Sequence, residues 1–415
     1  MRDFVNPMLV KEVRQGLRGR MFVITFLLMQ VLLFFTMTGQ LISQQGGQLT
    51  TMGATTFFWT MVCIPMLLLP LAGFGAIHGE LKGKTLELIT LSRLSARRIV
   101  MGKWTSLAAQ LVLILITVLP YALLRYYLGG VDIVSDLQIL FWLTACAVMV
   151  AGVCVGLSAF ENRALRAIII FGGVIVLYST MSGLLMFLAF ASFGGGGPTS
   201  FGLDGGFWRE QGLVLLGMGL LVLFFLEFGA LKVAPTAENH TGWIRFWSLL
   251  LWVPAFIALS FDHEVASVLI FFALPSFLVS VFGIFEGVRS IPRIYRPFTR
   301  WGFLGRILGW ALFYPGWFTS MVYTAISFGL VAAFCLAHKG IDVDDTMTII
   351  TGLLINYLAV IVAMALARLF SKSGSGGLMK AYVKWQIIFV LGALFLLIVS
   401  AAEESLRDLF VYFPT

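Results

Sequence analysis

Charge is scarce in this sequence. Asp, Glu, Lys and Arg make up 12% of its 415 residues while hydrophobic residues make up 60%, against roughly 25% charged in soluble domains. That balance excludes a water-soluble globular chain and leaves a membrane protein. Apolar runs of about ten residues alternating at period two, the mark of a membrane barrel, are absent. Cysteine and histidine number four each. Cys63, Cys146, Cys154 and Cys335 all fall inside apolar runs, where thiols pack as small apolar groups, so neither a disulfide framework nor a metal cluster is expected. His263-Glu264 begins like a zinc-protease helix, but Ser267 stands where the second His belongs. The start lacks a small-residue cleavage site after its first apolar run, which is therefore expected to remain as a signal anchor.

Ionisable residues are also missing from the centres of the apolar runs. Glu227 lies near one end of its run beside Lys232, an interfacial pair by spacing. Arg125 lies near an end with Tyr126 and Tyr127, the pattern of a snorkelling anchor. A proton- or sodium-coupled carrier needs a buried carboxylate, and an intramembrane hydrolase needs a nucleophile with its base. Neither is evident.

What is present is a series of about eleven apolar runs, each near the length of about 20 residues that a bilayer core requires. They fall at 21–42, 54–77, 104–124, 137–157, 167–190, 213–230, 243–260, 266–285, 307–335, 347–366 and 385–401. The expected fold is all-helical and polytopic. Lys and Arg flanking the spans stay on the cytoplasmic side. With the amino terminus inside, all of the 28 Lys and Arg except Arg125, Arg209, Lys339 and Arg407 fall in cytoplasmic segments. Asp342, Asp344 and Asp345 fall outside. The net charge of +8 is thus a topology signal and gives no reason to expect a nucleic-acid partner.

Gly79 to Thr85, read Gly-Glu-Leu-Lys-Gly-Lys-Thr, resembles a phosphate-binding loop at first sight. A Walker loop places four residues between its first Gly and the Gly-Lys-Thr, and follows a strand. Here three residues intervene and an apolar helix precedes, so no nucleotide or other cofactor is expected on this chain. Glu80 to Lys103 is instead a basic and apolar segment with Leu86, Ile89, Leu94 and Ile99 able to form one stripe along a membrane surface.

The order of residues in this segment is specific: Glu80 at the end of a span, then Gly83-Lys84-Thr85-Leu86-Glu87-Leu88, a Leu-rich turn, basic residues, and Gly102-Lys103 opening the next span. It resembles the segment after the second helix of type 2 ABC transporter permeases, the exporter-like membrane subunits. Asn6-Pro7-Met8-Leu9-Val10-Lys11-Glu12-Val13-Arg14 resembles the amphipathic elbow helix that opens the same family. The resemblance implies an inner-membrane, multi-pass permease that couples ATP hydrolysis to export or flipping of a substrate. ATP would be bound by a separate cytoplasmic ABC ATPase subunit, the expected partner beside membrane lipids and a second permease chain. Glu80, Gly83, Lys84, Thr85, Leu86, Glu87, Leu88 and Lys103 would form the coupling segment, and Asn6, Pro7, Lys11, Glu12 and Arg14 the elbow. The rival expectation is a stand-alone ion-coupled carrier or a non-transporting assembly factor.

The family has about six spans per subunit, and this sequence continues through five more. A parallel repeat of six plus five spans accounts for the excess. Phe74-Gly75 before Glu80 is echoed by Phe282-Gly283 before Glu286, and Gly102-Lys103 by Gly305-Arg306. The expected halves are 1–235 and 236–415. Glu286, Arg289, Arg293 and Arg296 would form a degenerate second coupling segment, its helix interrupted by Pro292 and Pro297. The glycine-rich stretches from Ser192 to Gln211 and from Ser371 to Gly377 read as an outer loop and a cytoplasmic linker.

Overall fold

The computed structural model describes residues 7–46, 51–77, 79, 95–128, 133–159, 205–234, 238–259 and 302–337, with isolated helical residues at 279 and 296 and between 361 and 388. Among the described residues every regular element is a helix. Four of the helices are long and apolar enough to cross a membrane, over Arg20–Ile42, Ala96–Leu128, Asp136–Leu157 and Gly212–Leu231. They coincide with four of the expected runs. The runs at 167–190, 266–285, 347–366 and 385–401 lie wholly or largely outside the described residues. The chain separates into two compact units, Met1–His240 and Thr241–Thr415.

In the first unit, α1 (Pro7–Leu17) opens with proline, whose fixed φ suits the first helical position. It ends at Arg18-Gly19, where the Gly19 amide bonds back to the Gly16 carbonyl at 2.9 Å. α2 (Arg20–Gly46) and α3 (Thr51–Leu71) follow. Pro65 and Pro70 lie inside α3, each lacking the amide that would continue the helical ladder. The helix tightens after the second of them into a 3-10 turn over Ala72–Gly75. α4 (Ala96–Leu128), α5 (Ile133–Leu157) and α6 (Gly205–Val233) follow among the described residues of the unit.

The core is where these helices face one another: Met29, Leu33, Phe58, Val62, Leu111 and Val155 are fully enclosed. The opposite faces remain apolar but exposed, as with Ile24, Leu27 and Phe34 on α2 and Ile116 on α4. Exposed apolar stripes on long helices are what hydrocarbon solvent permits. Close approach therefore depends on small residues. Gly156 of α5 lies directly on the backbone carbonyl of Phe225 in α6, and a Cβ at Gly229 would sit 3.1 Å from the Gly156 Cα. A Cβ at Gly152 would reach within 2.8 Å of Val222. The spacing Gly152-x-x-x-Gly156 in an apolar run is the sequence signal for such a crossing.

The second unit contains most of α7 (His240–Leu259), α8 (Gly302–Phe313) and α9 (Trp317–Ala337). The single run expected over 307–335 is broken at Tyr314-Pro315-Gly316. Pro315 supplies no amide to an α-helical ladder, and fully buried Arg245 of α7 donates to carbonyls on both sides of the break. Its Nη1 donates to the carbonyls of Leu312 at 3.2 Å and Tyr314 at 2.9 Å, and to Thr319 Oγ1 at 3.2 Å. Nη2 donates to the Gly316 carbonyl at 3.3 Å. A guanidinium at the negative end of α8 is favourably placed.

Candidate functional site

Of the expected coupling segment, Glu80, Gly83, Lys84, Thr85, Leu86, Glu87 and Leu88 lie outside the described residues, as do Asn6, Glu286, Arg289 and Arg293. Arg296 is described and exposed. The two stems of the segment are described: α3 and its 3-10 turn lead in to Ile77, and α4 leads out from Ser95. The incoming stem is anchored to the end of α5, where the Ile77 amide donates to Ser158 Oγ at 3.2 Å and that hydroxyl donates to the Val155 carbonyl at 2.6 Å.

The outgoing stem meets α1. Lys103 Nζ lies 3.5 Å from Glu12 Oε1, the ammonium 7% and the carboxylate 15% exposed. One turn further along α1, a Cβ at Gly16 would meet the Gln110 side chain and come within 3.4 Å of Ser106 Oγ, both on α4. Two groups of residues nearly a hundred positions apart in sequence thus form one contact. Lys11 and Arg14 point the other way and are exposed.

A second tie joins α4 to the end of α6. Arg97 Nε donates to Glu227 Oε2 at 2.8 Å, and Glu227 Oε1 lies 2.6 Å from His240 Nδ1. His240 Nε2 lies 2.9 Å from Glu238 Oε2. Arg97 occupies the first turn of α4, the end at which the helix dipole disfavours a cation, so Glu227 supplies what its own helix does not. Carboxylates only accept, so the imidazole flanked by two of them donates from both nitrogens and carries a charge. Burial opposes that charge, but the hydrogen bonds to Glu227 and Glu238 outweigh it and hold the His240 pKa above its ordinary value. Lys232, expected beside Glu227, has its side chain outside the described residues. Arg97 and His240 are the partners that sequence spacing missed. An acidic residue within an apolar run was the available signal, but it does not say which distant base it meets.

At the opposite ends of α4 and α5, Arg125 departs from the snorkelling anchor expected of it. It is 1% exposed, donates to Asp136 Oδ2 at 3.0 Å and lies 4.2 Å from the centre of the Phe58 ring. Asp136 in the first turn of α5 pairs with it, so the charge is met inside the bundle and not by solvent.

These ties join helix ends that lie far apart in sequence. They assemble no nucleophile with a base. Among the described residues no three His, Cys, Asp or Glu side chains are placed to hold a metal ion. Among the described residues, four membrane-length helices, three of them tied to one another by ion pairs, fit a membrane protein. No protein-family model, curated protein or solved structure matches the chain.

Proposed function

We propose that this chain is the membrane-spanning subunit of an ABC-type transporter, converting ATP hydrolysis on a separate cytoplasmic ATPase into export or flipping of a substrate. The observation that carries the proposal is the contact of Glu12 and Gly16 in α1 with Lys103, Ser106 and Gln110 in α4. It supports the resemblance because the elbow and the outgoing stem of the coupling segment, recognised separately in sequence, meet where a coupling device would need them. A push on residues 80–94 would enter α4 at Ser95, reach α1 through Lys103 and reach α6 through Arg97. The full proposal has about eleven spans in the inner membrane, the amino terminus in the cytoplasm, a six-plus-five parallel repeat, and ATP bound by the partner alone.

The test is co-purification of the full chain with the ATPase encoded beside it. Glu87→Arg should reduce ATPase recovery and stimulated hydrolysis by about tenfold, the equivalent of about 1.4 kcal/mol at the dock, while membrane insertion is unchanged. Equal assembly and equal hydrolysis in that variant would refute the coupling role. So would saturable ATP binding by the chain alone that Lys84→Ala abolishes.

A further inference from the structure

We propose that the outward face of α1 is a binding surface for anionic phospholipid headgroups. α1 has two faces with different surroundings. Glu12, Val13, Gly16 and Leu17 are half-buried against the bundle, while Lys11 and Arg14, one turn apart, are exposed. Arg18 in the break and Arg20 at the start of α2 are exposed as well, so four cations gather along one short stretch. Immediately beyond them α2 exposes Met21, Ile24 and Leu27, at 52%, 61% and 56%.

The join between these two surfaces selects the partner. A bilayer places negative headgroups directly beside hydrocarbon, so long basic side chains can extend to the phosphates while the apolar stripe enters the acyl layer. α2 is long and apolar enough to cross a membrane from Arg20 onward, so the cations that precede it stand at the level where hydrocarbon gives way to headgroups. Each Lys or Arg held near an anionic surface contributes about 1 kcal/mol, a factor of about five in binding. Through Glu12 the same helix is paired with Lys103, so headgroup charge bears on α4 as well. The inference stands independently of the transport reading.

The full chain reconstituted in nanodiscs of equal parts phosphatidylcholine and phosphatidylglycerol provides the test, by the ratio of the two lipids retained after extraction. Wild type should be enriched in phosphatidylglycerol, and the combined Lys11→Gln, Arg14→Gln and Arg18→Gln variant should lose about fivefold per charge removed. Lys11→Arg with Arg14→Lys and Arg18→Lys should retain the enrichment. If the neutral variant fails to fold, salt decides, because about 1 M salt shortens screening to about 3 Å and should abolish the wild-type preference. No enrichment in wild type, enrichment indifferent to both charge and salt, or loss of a protein partner with lipid enrichment intact would each overturn the proposal.

Discussion

Glu227 is a carboxylate placed in an apolar helix, 3% exposed, and its cost is offset only by the groups it meets. Arg97 and Glu238 are the charged groups described around the Glu227–His240 contact, one on each side. Because the folded protein holds the His240 pKa above its ordinary 6.5, protonated His240 adds stability that is fully present below that value. The contribution is lost as pH rises through the folded pKa. The melting temperature of the detergent-solubilised full chain should therefore fall by a few degrees on passing from mildly acidic to mildly alkaline pH, and His240→Gln should flatten this slope. Glu227→Gln should cost about 1–3 kcal/mol. That is less than breaking a fully buried pair, since Arg97 is 41% exposed and regains water. An unchanged pH slope in His240→Gln would show that the imidazole is not the titrating group.

Helices in a membrane gain little by hiding apolar surface from one another, so the α5–α6 crossing depends on how closely two backbones can approach. Alanine is normally the better helix former by about 1 kcal/mol. At Gly156 a methyl group would meet the Phe225 carbonyl, a backbone atom that cannot rotate aside, and overpacking of that kind costs about 1–3 kcal/mol. Gly156→Ala should therefore destabilise the chain in thermal unfolding. Gly219→Ala on α6, where nothing lies within 4 Å, should be neutral or stabilising, and equal effects at the two positions would contradict the close crossing.

The same scale explains what the sequence could reveal. The long helices were legible because a bilayer sets their length and composition, and α1 because a surface helix must segregate polar from apolar residues. The interruption at 314–316 was not, because Pro65 and Pro70 also lie within an apolar run and α3 continues through the first of them. What distinguishes Pro315 is Arg245, about 70 residues away, donating to carbonyls on both sides of the break. The partners of Glu227, and the choice of Asp136 over water by Arg125, are likewise tertiary facts that no local spacing encodes.

For the whole molecule, the transporter proposed above leaves one choice, how many copies would build one pathway. Gly102-Lys103 and Gly305-Arg306 both fall early in helices that follow basic segments, α4 and α8. α4 runs unbroken for 33 residues, whereas α8 has 12 residues and hands over to the 21 of α9 after the break. In the proposed arrangement of two halves, the first would have one continuous helix behind its coupling segment and the second a jointed pair. Paired halves would let one chain form the pathway, with a strong ATPase dock at residues 80–91 and a weak one at 289–306. Were the later spans peripheral, two chains would have to meet about a two-fold axis, each presenting a strong dock. In the permeases that the motifs resemble, ATP sites close between two ATPase subunits, so both arrangements predict two ATPase chains and differ only in the permease. We expect native mass measurement of the intact complex to find one permease chain with two ATPase chains. A complex holding two of each would dismiss the single-chain pathway and make the second unit an addition around a conventional dimer.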